Sequence, residues 1–383
     1  MTTRIKSSRI ITPNGYFSGS VYFDEEQILH ITPNALPCDW ECDFGDCIVS
    51  PGFIDMHVHG GNSADFCSAP LQGIASAADF HLRHGTTTIV PTITSVSFDS
   101  MHHALENIRI CKDNKQSLSN IAGVHLEGPY FSPRQCGAQN PDKLSAPDPK
   151  EYGALLDAFA DLILRWSYAP EVDTDLSFLQ ALRERNVVAS MGHTDAIYDD
   201  CIRAYEKGCR LVTHLYSCTS TVTRLDGYRR LGVLETAFLL DDMDVEIIAD
   251  GKHLPPELIR LICKIKGYDR VSLVTDAMQV AGTSATESEI GGVACIIEDG
   301  VAKLPDRSAF AGSVATADRL LRVCVQDVGI PVLEAVKMLT ANPARILNLN
   351  AGRIQVGSRP DFVVLDDDMQ IQSVFASGSP VSL

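Results

Sequence analysis

Histidines recur in this chain where apolar runs end. One run finishes in His57-Val58-His59 and another in His125-Leu126-Glu127-Gly128-Pro129. Later runs finish in Gly192-His193-Thr194 and Thr213-His214, or lead into Asp250-Gly251-Lys252-His253, and a further run ends in Thr275-Asp276-Ala277. His84 is counted with the histidines near such ends. Alternate residues of a strand share a face, so His57 and His59 point the same way, as do His125 and Glu127. Imidazole and carboxylate together suit Zn²⁺ or a similar borderline divalent ion, with an open coordination position left for water. Such an ion lowers the pKa of water toward about 7 and so supplies hydroxide at neutral pH. A carboxylate outside the coordination shell can then take and return a proton.

The runs themselves are Gly52–Val58, Thr87–Thr92, Ile121–Leu126, Leu162–Tyr168, Val187–Met191, Arg210–Leu215, Val245–Ala249 and Val271–Val274. Between them lie stretches of helix formers, such as Leu71 to Arg83 and Glu257 to Lys266. Apolar strands alternating with helices predict a parallel sheet covered on both faces and closed as a (β/α)8 TIM-type barrel, an α/β fold whose strand C-termini assemble the chemistry. Both chain ends read differently. Arg9 to Thr12, Ser18 to Phe23 and Gln27 to Thr32 are short β-prone runs, as are Gly352-Arg353-Ile354, Asp361 to Leu365 and Ile371 to Ser377. Neither end is long enough to close a core alone. Residues 1–50 and 347–383 are therefore expected to form one small β-sandwich module, and 51–346 the barrel.

The whole-chain properties restrict the partners. The 383 residues carry 49 acidic against 32 basic side chains, a formal net charge of −17. That balance argues against a nucleic-acid binder, which needs a basic stripe. No apolar stretch approaches the ~20 residues of a membrane span. The segment Met1 to Ile11 lacks an apolar signal-peptide core and reads as mature sequence. The 12 cysteines form no CxxC pair. They read as reduced thiols in a cytoplasmic protein, with Cys38, Cys42 and Cys47 the one cluster that invites a zinc reading.

The set PGFIDMHVHG, HLEGPY, GHTDA, THLY, ADGKH and VTDA, in that order, resembles the amidohydrolase superfamily and, within it, the N-acetylglucosamine-6-phosphate deacetylases. The resemblance runs from about Pro51 to Asp361 and includes the split β-module. It implies a divalent ion, Zn²⁺ foremost, held by Glu127, His193 and His214. His57 and His59 would hold a second, giving one or two ions per subunit. It implies Asp276 as the group that activates water and then protonates the departing amine. The fourth run, LILRWSYAPE, lacks the lysine many superfamily members use, and Glu127 takes that bridging role. Substrate contacts carry over at Ala138 and Gln139 in GAQNP, at Gly251, Lys252 and His253 in DGKH, and at Phe310, Ala311 and Gly312 in FAGS. His125 is expected behind the ligands. The family commonly dimerises, which implies a homodimer or higher homo-oligomer acting on a small N-acetylated sugar phosphate.

One stretch departs from the family. Where relatives read LYNAM or LFNAM and later Arg-Glu-Pro-Gly, this chain reads LYSCTSTVTRLDGYRRLG. The Asn-Ala pair that meets substrate becomes Ser217-Cys218, and Arg224 is the nearest counterpart of the phosphate-binding arginine. A phosphate needs a fork of donors. The altered loop therefore leaves open an amidohydrolase acting on a different amide or acylated sugar.

Overall fold

The computed structural model describes residues 1–383. Parallel strands Phe53–Val58, Thr86–Ile93, Val124–Glu127, Ile163–Tyr168, Val188–Met191, Leu211–Val212, Asp244–Ile247 and Val271–Leu273 lie side by side in chain order. The short strand Asn120–Ile121 adds a second pairing to Thr86–Ile93. The last strand meets the first through backbone bonds at one rim. The Asp276 amide donates to the His57 carbonyl (2.9 Å) and the His59 amide to the Ala277 carbonyl (2.8 Å). The barrel is thus drawn together where the polar strand ends lie.

The helices wrap it with the expected stripe. In Leu71–Arg83 the buried residues are Ile74, Ala77, Ala78, His81 and Leu82. In Pro256–Lys266 they are Ile259, Ile262, Cys263 and Lys266. This i, i+3, i+4 spacing puts one face of each helix on the barrel. The second helix stops at Gly267, whose φ of 72° no side-chain-bearing residue adopts cheaply.

Both chain ends contribute to one eight-stranded sheet. Ile48–Pro51 is the seam. It runs beside Thr3–Thr12 on one side and pairs antiparallel with Phe362–Leu365 on the other. Ile5, Val21, Phe23, Val49, Phe362 and Phe375 fill the core of this β-sandwich. Gly352 to Ile354 is not a strand, contrary to the sequence expectation. Gly352 has a φ of 70° and sits so close to the Thr340 carbonyl that a Cβ would clash at 2.6 Å, which bends the chain out of an extended path. Cys38, Cys42 and Cys47 form no metal-binding group, and all 12 cysteines are unpaired.

Besides a two-residue pairing of Gly60–Gly61 with Ala64–Asp65, two larger β elements were not anticipated. A four-stranded antiparallel sheet, Glu287–Ile290, Val293–Glu298, Val301–Lys303 and Phe310–Ser313, follows the last barrel strand and packs over its rim. A hairpin of Thr223–Leu225 and Tyr228–Arg230 projects from the loop after His214. No helix is long and apolar enough to cross a membrane.

Candidate active site

Six side chains from five strand ends converge at the rim. Glu127 is the hub. Its Oε1 lies 3.2 Å from His193 Nε2, 3.1 Å from His214 Nε2 and 3.3 Å from His57 Nε2. Its Oε2 lies 3.3 Å from His59 Nε2. Asp276 Oδ1 stands 3.1 Å from His59 Nε2 and 3.5 Å from His57 Nε2. All six are buried. They fall into two sets, Glu127 with His193 and His214, and Asp276 with His57 and His59.

The arrangement fits a divalent ion on its own geometry. His193 Nε2 and His214 Nε2 approach to 3.2 Å. Ligands about 2.0–2.1 Å from a tetrahedral ion stand about 3.3 Å apart. His193 Nδ1 donates to the Gln135 carbonyl (3.0 Å), which leaves its Nε2 lone pair free for the centre. His57 Nε2 is buried with no hydrogen-bond partner at all. The local charge points the same way, because three buried carboxylates, Glu127, Glu246 and Asp276, are accompanied by one guanidinium, Arg165, which pairs with Glu246 alone.

That field shows in the titration behaviour. Burial opposes a charged His57, yet Glu127, Glu246 and Asp276 push its pKa up to about 10. Burial likewise opposes a charged His59, and hydrogen bonds with Asp276 and Glu127 push it up to about 9. Burial would raise both carboxyls, but the charge of His57 with the bonds from His193 and His214 holds Glu127 well below the usual carboxylate range. His57 and His59 hold Asp276 down in the same way. A fully buried pocket that favours imidazolium demands positive charge, and a divalent ion supplies it.

Behind these six side chains lies a polar layer that the sequence expectations do not contain. Glu246 Oε1 accepts from His57 Nδ1 (2.8 Å) and from the His214 amide (3.0 Å), and its other oxygen pairs with Arg165. Asp55, pushed up to about 6 by burial, accepts from Thr275 Oγ1 (2.5 Å) and the His57 amide (3.2 Å). Strand parity was the missed signal: Asp55 shares a face with His57, and Arg165 with Ser167, which bonds His125 Nε2 (2.7 Å). His125 is buried there, and burial followed by the charge of Arg165 keeps it neutral. His84 is elsewhere, beside Asp318 at 3.3 Å.

Several of these residues hold a positive φ: His193 (46°), His214 (27°), Tyr216 (78°), Cys218 (49°) and Asp276 (49°). For residues with side chains this costs about 1–3 kcal/mol each. The surroundings fix each turn. The His193 carbonyl accepts from the Ser132 amide (2.9 Å), the His214 carbonyl from the Ser217 amide (2.8 Å) and the Asp276 carbonyl from the Ser313 amide (2.8 Å). Glu171 clamps the turn after His193 through Thr194 Oγ1 and the Asp195 amide, both at 2.6 Å.

A cavity of about 240 Å³ opens above these side chains. His59, Glu127, His193, His214 and Asp276 line its floor. Ala138, Gln139, Ser217, Cys218, His253, Phe310, Ala311 and Gly312 line its walls. Gln139 is tied into the centre: its Nε2 donates to Glu127 Oε2 (2.7 Å) while its Oε1 accepts from Thr94 Oγ1 (2.7 Å) and the Ser95 amide (3.0 Å). Asp250, a residue not singled out from sequence, orients His253 through Nδ1 (2.9 Å). Gly251 and Lys252 are exposed and outside the cavity wall. Arg224 is also outside, on the exposed hairpin, and no lysine or arginine lines the cavity within one chain.

Comparison with known proteins follows the same outline. Residues 48–381 match the model of the amidohydrolase family. An N-acetylglucosamine-6-phosphate deacetylase of Lysinibacillus sphaericus is 31% identical over 332 residues, covering 86% of this chain and 84% of the relative. An N-acetylgalactosamine-6-phosphate deacetylase of Escherichia coli O157:H7 is 28% identical over 337 residues, 88% of each. Among solved structures, a variant of the Mycobacterium smegmatis N-acetyl-D-glucosamine-6-phosphate deacetylase, in complex with N-acetyl-D-glucosamine-6-phosphate, is 30% identical. It aligns with a TM-score of 0.92 over 99% of both chains.

Proposed function

The chain belongs to the amidohydrolase family and, within it, to the N-acetylglucosamine-6-phosphate deacetylases, and from that membership we propose how its residues divide the work. It is a metal-dependent hydrolase of an amide C–N bond that converts an N-acetyl amino sugar 6-phosphate to the free amino sugar phosphate and acetate. The observation that carries the residue assignment is the convergence of four imidazoles and two carboxylates on Glu127 Oε1 and its surroundings.

Glu127, His193 and His214 would hold one divalent ion, and His57, His59 and Asp276 a second. Nitrogen and carboxylate ligands at this spacing favour zinc. When bound, such an ion polarises the acetamide carbonyl and provides hydroxide at neutral pH. Asp276, held ionised on the cavity floor, accepts the proton of the attacking water and delivers it to the nitrogen of the departing amine. Gln139 keeps Glu127 in one orientation. Phe310, 4.7 Å from the His253 ring, closes the cavity over the sugar with Ala311 and Gly312.

The phosphate needs a cation that one chain's cavity does not contain. His253 supplies one donor. Arg224 stands on a projecting, exposed hairpin, which suits delivery into the cavity of a second copy. A homodimer is therefore part of the proposal, as is a cytoplasmic location consistent with 12 unpaired cysteines. Residues 1–50 and 347–383 form the supporting module and 51–346 the catalytic barrel.

The test is release of acetate and free amine from N-acetylglucosamine 6-phosphate, with the galactosamine epimer and unphosphorylated N-acetylglucosamine run beside it. Turnover of a phosphorylated sugar far above the unphosphorylated one is expected. Failure to turn over either phosphorylated sugar would overturn the reading.

A further inference from the structure

We infer that Glu246, locked by Arg165, is the positioning residue that builds both cation sets at once, and that ion binding at His57 depends on it. The inference rests on the reading that the site takes divalent ions. Arg165 and Glu246 are fully buried inside the barrel, facing each other. Burying two charges is costly, and an apolar pair of the same volume would stabilise the barrel as well or better. What the ion pair does provide is direction.

Every group around the pair is assigned. Arg165 Nε donates to Ser190 Oγ (3.2 Å), and Nη2 to Thr213 Oγ1 (3.0 Å) and Ser167 Oγ (3.4 Å). Arg165 Nη1 reaches the Met56 carbonyl (3.4 Å) as well as Glu246. The guanidinium is thereby fixed to three neighbouring strands, and Glu246 is fixed to the guanidinium. The remaining Glu246 oxygen then faces two donors. One is His57 Nδ1 at 2.8 Å, the other the His214 backbone amide at 3.0 Å.

These contacts have different consequences. The first places the His57 proton on Nδ1 and presents the Nε2 lone pair to the centre. That atom is buried without a hydrogen-bond partner and lies 3.3 Å from Glu127 and 3.5 Å from Asp276. The second anchors His214 at a positive φ of 27°. One carboxylate thus sets a ligand nitrogen in one set and a ligand backbone in the other. Partners that orient metal-bound histidines change affinity about 10–100-fold when removed.

The test uses the full-length protein, stripped with chelator and titrated calorimetrically with Zn²⁺, with ion content checked by mass spectrometry. Glu246→Gln removes the charge that orients His57. Glu246→Asp keeps a carboxylate for Arg165 and withdraws it from His57 by one methylene, so it guards against a variant that fails to fold. His57→Asn marks which ion is affected. Both Glu246 variants are expected to weaken the ion lost in His57→Asn by about 10–100-fold while circular dichroism stays unchanged. Zn²⁺ stoichiometry and affinity equal to the parent's in both variants would overturn the inference. A parent chain that binds no Zn²⁺ would overturn the metal reading itself, and this inference with it.

Discussion

Each set joins two imidazoles to one carboxylate, and beyond the Glu246 carboxylate, which touches both, they rest on different supports. His193 and His214 sit in turns beyond their strands, at positive φ, and His193 leans on a main-chain carbonyl of the loop at Gln135. His57 lies within its strand, is fully buried, and leans on the Glu246–Arg165 pair in the barrel interior. Asp276 completes that second set on the seam where the last strand meets the first. The loop that supports His193 also carries Gln139 and Ala138 into the cavity, so that set is tied to the cavity wall. The other is tied to the barrel. The contrast teaches that one metal-binding surface can be built half from loops and half from scaffold, with Glu127 joining the halves.

Removing that joint is the largest perturbation. Glu127→Gln is expected to strip ions from both sets and to bring deacetylation below detection, measured as ion content and acetate release on one preparation. Asp276→Asn affects only the barrel-supported set. It is expected to lower kcat by about 10²–10⁴ while the ion on His193 and His214 stays bound. Gln139→Ala frees the Glu127 oxygen that also faces His59 but leaves every candidate ligand in place. The lost bond to a carboxylate, about 1.5 kcal/mol, corresponds to about a tenfold fall in kcat/KM. Arg224→Ala should disturb neither set. It is expected to raise KM for the phosphorylated sugar about tenfold and leave the unphosphorylated sugar and the ion content unaltered.

Chelation sharpens the contrast through pH. Without ions, the raised folded-state pKa values of His57 and His59 contribute stability that is complete below the unfolded value of about 6.5. It is lost as pH rises through about 9 and then about 10. The melting temperature of chelated protein should therefore fall across that window. Ion-loaded protein, whose imidazoles carry no such protons, should hold its melting temperature over the same range.

Much of this was legible in the sequence because barrel strands buried on both faces leave continuous apolar runs, and because the histidines stand at their ends. Leu71 to Arg83 is a helix with the bounds its periodicity suggested. Other features were hidden by distance. Glu246 and Arg165 lie in separate apolar runs, and only closure of the barrel brings them together behind His57. The fate of Arg224 depended on a hairpin that carried its own signal. Asp226-Gly227 has φ values of 50° and 86°, the positive pair a two-residue hairpin turn requires. Asp299-Gly300, at 55° and 75°, marks the overlooked sheet that brings Phe310 to Gly312 over the cavity. Both Asp-Gly pairs stand outside the barrel's apolar runs, so the strand–helix alternation carries no sign of either element.

The most direct test of the account is reconstitution of chelated protein with increasing Zn²⁺ while acetate release from N-acetylglucosamine 6-phosphate is followed. The expected result is no turnover in the stripped protein and activity that rises in step with bound ion until Glu127, His193 and His214 are saturated. Full activity in ion-free protein, or saturation with ion and no acetate released, would contradict it.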